Sequence, residues 1–197
     1  MDDKEKQIKD WHKFLNTDEI KNNLVRTSFY LLSFELLKNT IVDKIKDFYL
    51  TGFDEAGYIY SNDYNEKVVN KKINGKQNIF LSSLHWLEER AAISADDITE
   101  INIIREKRNT VAHQIDKFLC DSDFNIDTDM EKKMFDYIEK IERWWIREVE
   151  IPTNPDFDCK DVSDENILPG KIIIYHYIKS ITDELINNKN DKDEGVL

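Results

Sequence analysis

The chain has 197 residues, 40% hydrophobic and 11% aromatic, with 35% charged residues and a formal net charge of −12 at pH 7. That length and apolar content supply one sizeable folded core and exclude a disordered chain. With 40 acidic against 28 basic side chains, it is not a protein that wraps duplex nucleic acid on a basic surface, so any polyanion contact is confined to a local patch.

Five glycines and three prolines are too few for a turn-rich β architecture and favour helices. The N-terminus, MDDKEKQIKDWHKF, is charged from the start and has no apolar signal core. No run approaches the roughly 18 apolar residues of a membrane span. Cys120 and Cys159 form no CxxC and have no histidine at ligand spacing, which argues against structural zinc and a disulfide framework. The expectation is a cytoplasmic protein with no cofactor, no metal and no membrane association.

Along the chain, Ile8, Trp11, Phe14 and Leu15 mark an amphipathic start that breaks at Asn16–Thr17. The strongest helical signal runs from Asp18 to Leu50, with Leu24, Leu31, Phe34, Leu37, Ile41, Ile45 and Phe48 at three- and four-residue steps. Residues 52–76 hold three glycines and read as a connecting loop with a short helix at 65–72. A helix over NIFLSSLHWLEERAAI follows, with Ile79, Leu84, Leu87 and Ala91 on one side. Ser94 with Asp97 opens the next helix as a capping box, and this helix is expected to end near Phe118–Leu119. Thr128 with Glu131 caps a further helix that runs to Val149 and is stopped by Pro152 and Pro155. An acidic loop leads through Pro169–Gly170 to the last helix, KIIIYHYIKSITDELI. The predicted fold is therefore all-α, a bundle of five or six helices. Residues 1–150 form its core, 151–187 pack on the same domain, and 188–197 form a disordered polar tail.

One of these helices carries an anomaly. On a wheel of 100° per residue, Ile101, Ile104, Val111, Ala112, Ile115, Phe118 and Leu119 form one apolar stripe, and Arg108 falls near its centre. A guanidinium cannot be neutralised, so it must be paired or lie where the stripe opens onto a cleft. Glu35, in SFELL, is a candidate carboxylate partner. A polar row of Asn102, Arg105, Asn109, His113 and Asp116 runs beside the stripe, toward which the long Arg108 side chain could curl.

RNTVAH, Arg108 to His113, in the setting IIREKRNTVAH, resembles the R-x4-6-H motif of the HEPN superfamily (higher eukaryotes and prokaryotes nucleotide-binding domains). The resemblance is specific over about a dozen residues and architectural elsewhere. It implies a helical bundle that forms a homodimer through the motif helix. It also implies a metal-independent endoribonuclease that cleaves RNA by 2′-OH attack in a toxin–antitoxin, phage-defence or stress setting, with an antitoxin protein as a further partner. By position, His113 would transfer a proton, Arg108 would hold the phosphate, and Asn109 would orient the histidine or a phosphate oxygen. Arg105 would add a phosphate contact, and Glu35 would support Arg108. A non-catalytic HEPN module for dimerisation or for partner or nucleotide binding is the alternative. Ile115 stands where one toxin subgroup has a tyrosine, so modification of that tyrosine does not apply here.

Other features read as structural. His85, His176 and His12 are surface or partly buried helix residues. Cys120 lies beside acids that disfavour a thiolate. Trp144, Trp145, Tyr175 and Tyr177 are core or interface aromatics. DSDFNIDTD alternates acids like half a calcium loop, but Ile126 and Lys132 replace the required glycine and glutamate.

Overall fold

In the computed structural model, which describes residues 3–157 and 162–187, the chain is mostly helical. Its organising element is α2 (Thr17–Phe48), against which α1 (Asp3–Leu15), α4 (Ile79–Glu88), α5 (Ala95–His113), α6 (Ile115–Cys120), α7 (Thr128–Trp145) and α9 (Gly170–Asn187) all pack. Asn16 starts α2 by accepting the backbone N–H groups of Asp18 and Glu19, which satisfies two donors the helix cannot. Tyr30, Leu37, Ile41 and Ile45 of α2 are fully buried against Leu84 and Leu87, Ile101 and Ile104, and Met134, Ile138 and Ile141. Two polar groups on this inner line are self-satisfied: the Ser33 and Thr40 hydroxyls donate to the carbonyls of Phe29 and Leu36, each at 2.9 Å. Among the described residues, no helix is long and apolar enough to cross a membrane.

The segment expected as a loop is more ordered than that. Strands β1 (Leu50–Asp54) and β2 (Gly57–Tyr60) form an antiparallel hairpin. A short helical stretch follows as α3 (Asn62–Tyr64), widening to a π-turn over Asn65–Val69, so the short helix expected at 65–72 is present but begins and ends three residues earlier. Strands β3 (Lys72–Ile73) and β4 (Lys76–Gln77) then close on Asn74 and Gly75. Both of these residues have positive φ, 52° and 78°, as a two-residue Asn-Gly hairpin demands.

Four helix ends differ from expectation. α4 stops at Glu88 because Ala91 turns left-handed (φ 58°), and the Ala92 N–H then reaches back to the Leu87 carbonyl at 3.0 Å. Ala91 is thus exposed and not on the apolar side, and Ile79 is also exposed. α7 is capped by Asp127, whose carboxylate accepts from Asp129 and Met130, not by a Thr128–Glu131 box. The helical path after α7 passes Pro152. A π-turn over Ile146–Glu150 leads into α8 (Ile151–Thr153), where Pro152 sits in the first turn and its missing N–H costs nothing. The most consequential difference is in α5, which ends at His113 and not near Phe118–Leu119. Gln114 leaves helical geometry (φ −126°, ψ 34°), and α6 restarts at a new angle that buries Phe118 edge-on to Phe124.

α1 is inverted. Its polar side faces the bundle: Lys6 pairs with Asp121 and Asp10, Asp10 accepts from Ser122, and buried Lys13 donates to the carbonyls of Asp121 and Phe124. Ile8, Trp11, Phe14 and Leu15 therefore face solvent. The predicted disordered tail, 188–197, and Cys159 lie outside the described residues.

Candidate active site

α5 is set by its ends and its inner line. Ser94 and Asp97 complete the expected capping box in both directions, and Ile98, Ile101, Ile104 and Val111 are buried. Arg108 occupies the next place in that inner register, between Ile104 and Val111. Its aliphatic stem runs along the apolar face while the guanidinium turns to the rim. The side chain retains 28% of its exposure.

Three groups hold the guanidinium. Nη2 donates to Glu35 Oε1 of α2 at 2.5 Å, Nη1 donates to Asn109 Oδ1 at 3.3 Å, and the cation lies 5.3 Å from the centroid of the Phe34 ring. The curl toward the polar row is thus present. Nε is buried and has no partner among the described residues. Glu35 takes a second cation, Lys38, at 3.1 Å and remains 38% exposed. Arg105, one turn earlier, lies with its guanidinium 5.6 Å from the Phe80 ring of α4.

Asn109 and His113 are both exposed and four residues apart, so they share one face of the last turn of α5. His113 is the terminal helical residue, and among the described residues it has no hydrogen-bond or ionic partner. The break at Gln114 leaves this end of the helix open. It also removes Ile115 from the apolar stripe, where it becomes exposed. The structure thus brings Glu35, Arg108 and Asn109 into direct contact and sets Arg105 and His113 on the same helix without direct contact to them.

Chemically, this is a cation held at both terminal nitrogens, on the same helix as an exposed imidazole. Each terminal nitrogen carries a second N–H that can donate to a phosphate oxygen. Phe34 and Phe80, on which the two arginines lie, were not legible as site residues, because only the fold brings α2 and α4 beneath α5. Phe34 did neighbour the candidate Glu35, which was the one available signal.

The remaining candidates have structural roles. His85 Nδ1 sits 2.9 Å from Glu88, and His176 packs edge-on to Phe135. Trp145 is buried and stacked on Trp86, whose Nε1 donates to Tyr49 at 2.8 Å. In the acidic run, Asp121 and Asp123 pair with Lys6 and Asp127 caps α7. Among the described residues, no three His, Cys, Asp or Glu side chains gather as a metal-ligand set.

Comparison of the chain with protein-family models, with curated proteins and with solved structures returned no match.

Proposed function

We propose that the chain is a HEPN-type, metal-independent endoribonuclease acting as a homodimer in which two copies of α5 face each other. The observation that carries this reading is the grip on Arg108: a cation in the core register of α5, turned outward and fixed by Glu35, Asn109 and Phe34, on the helix that ends in exposed His113. As a stabiliser this pair is weak. Half-exposed ion pairs contribute about 0–1 kcal/mol, and an exposed cation–π contact contributes about the same. An apolar side chain in that register would hold the bundle at least as well. What the arrangement does supply is orientation of a phosphate-binding group.

In this mechanism Arg108 holds the scissile phosphate and stabilises the charge that develops on its oxygens. His113 accepts the proton of the RNA 2′-OH as that oxygen bonds to phosphorus. The bond from phosphorus to the 5′-oxygen breaks, and that oxygen takes a proton from the second His113 of the dimer or from water. The products are a 2′,3′-cyclic phosphate and a 5′-hydroxyl. Asn109 orients Arg108, Arg105 adds a second phosphate contact, and doubling these cations in a dimer offsets the net charge of −12 locally. The physiological setting drawn from the resemblance is a toxin or phage-defence ribonuclease restrained by an antitoxin protein. Expression in a bacterial host is expected to slow growth, with relief by His113→Ala or Arg108→Ala. Normal growth with abundant wild-type protein counts against a toxin.

A second reading is a non-catalytic HEPN module for dimerisation or for partner or nucleotide binding. It is favoured by one observation: Nη1 and Nη2 of Arg108 both already have protein acceptors. Under that reading neither wild type nor His113→Ala cleaves RNA.

A further inference from the structure

α9 carries apolar residues on two sides. Its inner side buries Ile172, Tyr175 and Thr182 against α2 and α7, yet Ile173, Ile174, Tyr177, Ile181 and Leu185 stand on its outer side, between 40% and 69% exposed. A helix with apolar residues on both sides belongs in an interior, but this one lies on the surface of the single chain. On the wheel, these five side chains fall within one arc of about 120°, which also holds exposed Glu184, whereas Lys171, Lys179 and Asp183 lie outside it.

We propose that this face of α9 is a two-fold interface between copies of this chain. Three observations select a second copy as the occupant. The first is size. The five side chains expose about 500 Å² per copy, so pairing two copies removes up to about 1,000 Å² from water through them, near the lower bound for a specific association. The second is symmetry. Ile173, Tyr177, Ile181 and Leu185 form a single ridge at four-residue steps, placed evenly about position 179. An antiparallel pairing therefore sets Ile173 against Leu185 and Tyr177 against Ile181 of the other copy, ridge into groove, with the helix dipoles opposed. The third is charge. The lysines of α9 are committed within the chain, Lys171 to Glu142 and Lys179 to Glu131 and Asp183. With a net charge of −12, the face lacks the basic border that attracts an anionic membrane. The sequence beyond Asn187, NKNDKDEGVL, has two apolar side chains in ten residues, too few to match a ridge of this size.

The proposal does not rest on the ribonuclease reading. α9 packs on α2 and α7, whereas Arg108 and His113 belong to α5. If both faces pair, the assembly is a tetramer; if α9 alone pairs, it is a dimer.

The test is sedimentation of the full chain. Wild type is expected at two or four times 23.4 kDa, and Tyr177→Glu/Ile181→Glu is expected to halve that mass. Circular dichroism reports whether the variant is folded. The milder Tyr177→Ser/Ile181→Ser pair and amide exchange of wild-type residues 173–185, which should quicken on dilution, keep the test decisive if the glutamates disturb folding. Trp11→Ser/Leu15→Ser, on the exposed face of α1, is expected to leave the mass unchanged. A monomeric wild type at its highest soluble concentration overturns the proposal. So does an assembly that survives the α9 substitutions. Loss of RNA cleavage is not a readout here, so failure of one proposal leaves the other standing.

Discussion

Arg108 and Glu35, 73 residues apart, meet at 2.5 Å between α5 and α2, and that contact converts an irregularity in an apolar helix face into an oriented cation. Because the pair is partly exposed, its contribution to stability is small and its contribution to geometry is large. Arg108→Met, which retains volume and drops the charge, is expected to change unfolding free energy by no more than about 1 kcal/mol in a urea titration. The same variant is expected to lose RNA cleavage. Glu35→Gln keeps an acceptor and is expected to lower kcat about tenfold with less change in KM, the signature of a positioning residue. An Arg108→Met protein that is severely destabilised would show that the pair is structural.

The inverted docking of α1 makes its attachment sensitive to acid. The backbone N–H of Ser122, followed by Lys6 and the Ser122 hydroxyl, lowers the Asp10 carboxyl to about 2. A carboxyl lowered in the folded state stabilises above its ordinary value and loses that contribution as pH falls through the folded value. α1 is therefore expected to loosen between about pH 4 and pH 2, seen in the NMR amide signals of Lys6, Asp10 and Lys13. Asp10→Asn should flatten the dependence. Unchanged signals across that range would remove Asp10 as the clasp.

Glu142 of α7 is buried and receives Lys44 of α2 at 3.2 Å and Lys171 of α9 at 3.0 Å. One carboxylate thus ties three helices. Glu142→Ala leaves two cations facing each other, although both retain enough exposure to turn toward water. The expected cost is about 1–3 kcal/mol, read as a lower urea midpoint with an unchanged slope. An unchanged midpoint would mean that the lysines bring the helices together without it.

How much of this was legible beforehand depended on whether the controlling interaction was local. α2 and α9 were readable because their apolar spacing repeats over many turns, and the Ser94–Asp97 box was readable because both partners lie within one turn. The Asn74–Gly75 hairpin carried a local signal too, but two-residue strands give almost no alternation to support it. The end of α5 at His113 had no local signal: Gln114 is neither glycine nor proline, and the break serves the burial of Phe118 against Phe124. Arg108 was visible as a misfit and Glu35 as a possible partner. Phe34 and Phe80, and the openness of His113, depend on how α2, α4 and α6 surround α5.

The central claim is that His113, on the same helix as a fixed Arg108, cleaves RNA without a metal. It is tested by incubating purified wild type and His113→Ala with total RNA in excess chelator and analysing the fragment ends. Cleavage by wild type that yields 2′,3′-cyclic phosphate ends, lost by a factor of at least about 100 in His113→Ala, is the result expected. Intact RNA with wild type, or equal cleavage by both proteins, would contradict it.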